Sequence, residues 1–350
     1  MSPHDGGNAA LSFPHAAPPA PGAVAAVVSG VNWLRMPLPF ALDHINLWLL
    51  EDRGGWVIVD SGLNTEETKL HWAEILAHAL GGKPVTRLIV THFHPDHMGL
   101  AGWLTEKLKV PLWCTETEWL FARMLYLDET QGFVANALEF YRRTGVDEAT
   151  RAIFAGRGNP YRKRVSAVPH RFHRLGDGAE LRIDGRDWRV IVGRGHAPEH
   201  ACLYSRDLDV LIAGDQVLPK ISPNVSLWPQ EPEADPLALY LNSLDAIKRA
   251  VPASALVLPS HGLPFRGLHA RIEQLTRHHE ARLAELEAAC GEPRTCCEIV
   301  PVLFRRKLDT HQLGFAIGET LAHLHYLVNQ ARMSRAERPD GVFTYRRAIS

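Results

Sequence analysis

The chain has 350 residues, a length that suggests about two domains, and its 46% hydrophobic and 22% charged residues suit a globular protein with a real core. A formal net charge of −1 argues against a dedicated nucleic-acid binder, which would carry a strong basic excess. No apolar run approaches the ~20 residues that cross a bilayer, so no membrane partner is expected.

Residues 1–30 are rich in Ala, Pro and Gly and hold no Lys or Arg. They read as a mobile tail or a loosely docked arm. The positive start of a secretory signal is missing, which points to a cytoplasmic location. Asn46–Leu50 and Trp56–Val59 read as strands around the turn Arg53-Gly54-Gly55, and the second runs into Asp60-Ser61-Gly62. A helix is expected from about Thr65 to Ala79, stopped by Gly81-Gly82. Arg87–Val90 is a short buried strand that delivers the chain into Thr91-His92-Phe93-His94-Pro95-Asp96-His97. Leu100–Leu108 reads as helix and Val110–Cys114 as strand, which is α/β order.

Residues 115–165 form a helical insertion with interleaved aromatics and arginines, among them Trp119, Tyr126, Phe133 and Tyr141. Short strands return at Ala179–Ile183, Trp188–Val192, Ala201–Tyr204 and Val210–Ala213. A long loop follows Asp215, then a helix at Asp235–Arg249 and a buried strand at Ala255–Pro259 ending in Ser260-His261-Gly262. The composition shifts from about Leu268: a charged amphipathic helix over 270–289, another over Gly314–Gln330, and a hairpin through Asp340-Gly341. Helices followed by a small β-ribbon read as a winged-helix-like module over 269–350. The five cysteines show no C-x-x-C pairing and read as reduced and mostly buried.

Three of the 19 histidines, with an aspartate, fall within six residues at the end of a buried strand: His92, His94, Asp96 and His97. Residues i and i+2 on an extended segment point to one side, so His92 and His94 can reach one metal ion. Asp96 and His97 lie where the chain turns into a helix and can face a second.

Thr91–His97 resembles the T-H-x-H-x-D-H signature of the metallo-β-lactamase superfamily. The other motifs of that family follow in order: Asp60-Ser61-Gly62 is similar to the first, Gly195-His196 to the third, Gly214-Asp215 to the fourth and Ser260-His261-Gly262 to the fifth. The resemblance covers roughly residues 31–268. It implies an α/β fold, the four-layer αβ/βα sandwich of that family, carrying the C-terminal winged-helix-like domain. It also implies a site of two divalent metal ions. His92, His94 and His196 would bind one ion, Asp96, His97 and His261 the other, and Asp215 would bridge them. Imidazole and carboxylate ligands suit zinc, and also iron or manganese. Asp96 and His261 are the candidate catalytic groups, and Asp60 and His200 the candidates for orienting ligands from behind.

The resemblance further implies a metal-dependent hydrolase. Gly195-His196-Ala197-Pro198-Glu199-His200 is similar, though not identical, to the G-H-T-P-G-H of hydroxyacylglutathione hydrolases. With the tail, this glyoxalase II-like feature points to an acyl bond, a thioester ahead of a lactone. An acyl-glutathione or acyl-coenzyme A conjugate is the expected substrate. A phosphodiesterase or ribonuclease on the same metals, and a metal-binding regulator whose tail contacts DNA, are the alternatives. Tyr126, Tyr141, Lys220 and Asn224 are the candidate substrate contacts, and a homodimer is compatible with the tail.

Overall fold

A computed structural model describes residues 11–348. Residues 1–10 of the expected tail lie outside the described residues. The chain separates into two compact units. The first holds residues up to Leu127, Tyr161–Pro223 and Leu244–Glu273, and the second holds Asp128–Pro160, Asn224–Ser243 and Gln274–Ser350.

The first unit is built on two sheets. One runs in sequence order through β1 (Val24–Val28), β2 (Val31–Pro37), β3 (His44–Asp52), β4 (Gly55–Val59), β5 (Val85–Ile89), β6 (Leu112–Cys114) and β7 (His173–Arg174). The first four strands pair antiparallel, and β4, β5, β6 and β7 pair parallel. The helices between them are α1 (Glu66–Glu74), continued as a π-helical turn over Ile75–Ala79, then α2 (Pro95–Met98), α3 (Ala101–Leu108) and α4 (Glu116–Leu127). Thr65 caps α1 by accepting the Thr68 N–H.

The second sheet has the order β12-β11-β10-β9-β8. Its strands are β8 (Glu180–Ile183), β9 (Arg186–Gly193), β10 (His200–Ser205), β11 (Val210–Gly214) and β12 (Leu256–Pro259), and β11 and β12 pair parallel. β10, β11 and β12 are buried at every position, as expected of strands covered on both faces. The core between the sheets joins Trp33, Trp48, Val57 and Ile89 of the first to Trp188, Leu203, Ile212 and Leu258 of the second. Deleting one of these buried indole rings would cost about 3–5 kcal/mol.

The second unit contains α5 (Gln131–Arg143) and α6 (Glu148–Arg157) and most of the C-terminal region. α7 (Pro236–Ala250) and α8 (Leu268–Ala289) run from one unit into the other. They are followed by β13 (Arg294–Thr295), α9 (Cys296–Leu303), α10 (Thr310–Asn329), β14 (Met333–Glu337) and β15 (Phe343–Arg347). The three strands form a sheet in the order β13-β15-β14. A capping box of Thr295 and Glu298 starts α9.

Two features differ from the sequence expectation. The Ala- and Pro-rich segment read as a tail supplies β1, whose valines pair with β2 at the sheet edge, and Ser12 bridges to Arg266. The 115–165 insertion divides. α4 stays with the two sheets, while α5 and α6 join the second unit, where the Cys297 N–H bonds the Thr144 carbonyl at 3.0 Å. The cysteines form no disulfide, and four of the five are buried. No helix among the described residues is long and apolar enough to cross a membrane.

Candidate metal centre

Five strand ends bring the polar residues together. β4 ends in Asp60, whose left-handed φ of 64° is a conformation aspartate tolerates better than most residues. The turn aims the Asp60 carboxylate back at the end of β5. Its Oδ1 accepts the Thr91 N–H at 2.7 Å, and its Oδ2 lies 2.8 Å from His97 Nδ1. A carboxylate accepts only, so His97 carries its proton on Nδ1 and turns Nε2 toward the centre. The Thr91 hydroxyl lies 3.0 Å from His92 Nδ1.

The same logic fixes His261. Its Nδ1 lies 2.7 Å from the His44 carbonyl, so it donates there and leaves Nε2 facing Asp96 and Asp215. Behind it, the buried Asn46 amide donates to the Pro259 and Gly262 carbonyls, and the Arg35 guanidinium reaches the Gly262 carbonyl at 2.7 Å. His200 is fully buried, and its Nε2 accepts the Asp215 N–H at 3.0 Å. Gly214, at φ 53°, makes that bond feasible, because a Cβ there would strike the His200 ring.

The result is two sets of donor atoms, each within 4.8 Å of one another, that could hold a metal ion: His92, His94, His196 and Asp215, and separately Asp96, His97 and His261. His196 Nε2 and Asp215 Oδ2 are 3.5 Å apart. His261 Nε2 lies 3.5 Å from Asp96 Oδ2 and 3.4 Å from Asp215 Oδ1, and His97 Nε2 lies 3.7 and 3.6 Å from Asp96 and Asp215. These gaps are long for hydrogen bonds. They match the edge of a tetrahedron around zinc, about 3.3–3.4 Å for ~2.0–2.1 Å bonds. His97 Nε2 and Asp215 Oδ1 are buried and make no hydrogen bond among the described residues. By donor type, spacing and these two buried atoms, the residues fit divalent ions.

The electrostatics divide the same way. Burial pushes His92 well below its ordinary range and His94 down to about 3. Burial would do the same to His97 and His261, but Asp60, Asp96 and Asp215 outweigh it at His97, and Asp215 and Asp96 lift His261 to about 10. Against the burial that would raise it, Asp96 is held at about 2 by His97 and His261. The two carboxylates thus attract positive charge strongly.

The other expected residues divide between the two units. Tyr126 and Lys220 belong to the first unit. Tyr126 faces the Arg162 guanidinium at 5.2 Å, and Lys220 is exposed. Asn224 and Tyr141 belong to the second unit. There Asn224 bonds Glu319 at 3.4 Å, and Tyr141 packs on Phe154 with ring centroids 4.5 Å apart.

Glu118 was not among the expected residues. It is fully buried on α4, and its two oxygens accept the backbone N–H groups of Phe93, at 2.7 Å, and Glu199, at 2.6 Å. Burial lifts its carboxyl to about 8, against the pull of those two bonds. The signal was an acid on an apolar stripe, since Glu118, Ala122 and Leu125 are the buried positions of the helix.

The sequence pattern of the Metallo-beta-lactamase superfamily matches residues 41–261. The chain belongs to the metallo-beta-lactamase superfamily. The pattern of the Metallo-beta-lactamase-like, C-terminal domain matches residues 283–348. A crystal structure of a beta-lactamase domain protein from Burkholderia ambifaria is similar over 97% of this chain and 98% of its own, with 46% identity and a TM-score of 0.89. A metallo-beta-lactamase family protein from Thermus thermophilus is similar over 92% of this chain and all of its own, with 32% identity and a TM-score of 0.79. The probable metallo-hydrolase YqjP of Bacillus subtilis (strain 168) is 26% identical over 84% of this chain and 91% of its own. The metallo-beta-lactamase fold implies divalent metal ions, typically zinc, and the superfamily relatives support a metal-dependent hydrolase.

Proposed function

We propose that the chain is a dinuclear hydrolase of acyl bonds, with a thioester as its substrate. The observation that carries the reading is the convergence of three imidazoles on two carboxylates: His97 and His261 each lie 3.4–3.7 Å from both Asp96 and Asp215, and His196 lies 3.5 Å from Asp215. His92, His94 and His196 would hold one ion, Asp96, His97 and His261 the other, and Asp215 would lie between them. When bound, such a pair supplies a Lewis acid for the scissile carbonyl and lowers the pKa of water enough to make it a nucleophile near neutral pH.

The chain's own residues do the rest. Asp60 and the His44 carbonyl fix the tautomers of His97 and His261, so that both rings present Nε2. His200 and Gly214 set the orientation of Asp215. Asp96 sits on the side of His97 and His261 and is the group placed to take a proton from water and return it to the leaving thiol. No serine or cysteine nucleophile is required. The thioester preference is supported by the likeness of Gly195–His200 to the corresponding motif of hydroxyacylglutathione hydrolases. An acyl-glutathione or acyl-coenzyme A conjugate is the proposed substrate class. The catalytic domain is proposed to occupy residues 31–268. For 269–350, the order helix, strand, two helices and hairpin, with β13 pairing β15, supports the winged-helix-like reading.

The test is a paired assay on metal-quantified protein. Acyl-glutathione, acyl-coenzyme A and lactone substrates are compared with a phosphodiester and short RNA, and Asp96→Ala serves as control. Thioester turnover that falls about 10²–10⁴-fold in the variant is expected. Cleavage of the phosphodiester or RNA alone would replace this reading with a nuclease.

A further inference from the structure

We propose that Glu118 is a positioning residue for one half of the metal centre, clamping the backbone on both sides of the His92, His94, His196 and Asp215 donor set. The inference rests on the dinuclear reading above.

The Phe93 peptide lies between two of those donors. Its N–H donates to Glu118 Oε2 at 2.7 Å, and its carbonyl accepts the Tyr161 hydroxyl at 2.6 Å. Both polar groups of this one residue are therefore held by buried side chains, and the i, i+2 spread of His92 and His94 is fixed with them. The second Glu118 oxygen takes the N–H of Glu199 at 2.6 Å. Glu199 sits between His196, a donor, and His200, whose Nε2 holds the Asp215 backbone. The start of α4 adds two further ties to the same residue: the Thr115 hydroxyl donates to the Glu199 carbonyl at 2.9 Å, and the Thr117 N–H to the Glu199 carboxylate at 3.4 Å.

One carboxylate thus links the loop after β5 to the loop after β9, segments about a hundred residues apart in sequence that must meet for this donor set to exist. No apolar residue could do this, because two buried N–H groups would be left unpaired. The other donor set draws on different support: His97 leans on Asp60 and His261 on the His44 carbonyl. The clamp is therefore selective for one half of the centre.

Glu118→Gln keeps the shape but offers a single acceptor, so one of the two N–H groups would face an amide N–H₂. The experiment titrates Co²⁺ into metal-stripped wild type and variant, reading the visible ligand-field bands together with chelator competition. Two ions are expected to bind the wild type. In the variant, the ion of the His92, His94 and His196 set should bind about 10- to 100-fold more weakly with shifted bands, while the other, which shares only Asp215 with it, should change much less. Equal affinities and spectra for both ions in the two proteins would overturn the clamp and leave the dinuclear reading standing. A wild type that binds no ion would overturn both. If Glu118→Gln does not fold, Glu118→Asp is read the same way, since it keeps the carboxyl group but is too short to reach both N–H groups.

Discussion

Asp60→Asn tests the argument for the half of the centre that contains His97. The Asp60 carboxylate receives the Thr91 N–H and hydroxyl and the His97 Nδ1–H, all in a buried setting. Asparagine has the same shape but only one acceptor oxygen. If that oxygen keeps Thr91, the amide N–H₂ faces His97 and forces its proton onto Nε2, the atom aimed at Asp96 and Asp215. If the oxygen keeps His97, the N–H₂ opposes the buried Thr91 N–H. Either arrangement costs about 1–3 kcal/mol, and since each ~1.4 kcal/mol is a factor of ten, the ion of the Asp96, His97 and His261 set should bind roughly 5- to 150-fold more weakly. Competition against a chromophoric chelator measures this on wild type and variant in parallel. Affinities within twofold for both ions, with an unchanged melting temperature, would refute the claim that Asp60 fixes the His97 tautomer.

Chelation of the metal should abolish hydrolysis and lower the melting temperature, and added Zn²⁺ should restore both. Free metal at a hundred times its Kd is worth about 2.7 kcal/mol of stability. Gly102→Ala should destabilise the protein, although the same change inside a helix ordinarily gains about 1 kcal/mol. A Cβ there would run into the Ala167 carbonyl, so overpacking of about 1–3 kcal/mol should win, and thermal melts will show the sign. Glu319→Gln should stabilise the second unit above neutral pH and have no effect near pH 4. Burial raises the Glu319 carboxyl to about 7 from its ordinary 4.5, opposed by Arg282 and Asn224. The folded state therefore holds its proton longer than the unfolded one, and stability falls as pH rises from 4.5 through 7, by at most roughly 3 kcal/mol. Melting both proteins across that range measures the gap.

The part of the centre legible in the sequence is the part written locally. His92, His94, Asp96 and His97 sit within six residues at a strand end, where the two-residue period of an extended chain already implies a shared side. His196, Asp215 and His261 each follow a short apolar run that reads as a buried strand. β1 was not legible, because Val24–Val28 is short and lies among Ala and Pro, and its pairing partner rather than its own pattern makes it a strand. The split of 115–165 depends on what α5 and α6 pack against, which no local pattern records. Asn46 offered a clue, a lone amide in the otherwise apolar run Ile45–Leu50, and buried polar groups need partners. The His44 carbonyl that orients His261 is main chain and leaves no trace in residue type.

The topology explains why the donors must come from so far apart. The first sheet supplies a parallel pair, β4 and β5, whose ends carry Asp60 and His92–His97. The second sheet supplies another, β11 and β12, whose ends carry Asp215 and His261. Loops beyond the carboxyl ends of parallel strands are where open α/β sheets place ligands. Here two such edges face each other across one core, so each donor set mixes the halves: His92 and His94 are completed by His196 and Asp215, and Asp96 and His97 by His261. Neither half of the sequence can assemble a set alone. The apolar contact between the sheets through Trp48, Trp188 and Leu258 is therefore a condition of the chemistry as well as of the fold, and a substitution that loosens it should weaken both ions together, whereas Asp60→Asn and Glu118→Gln should each weaken one ion more than the other.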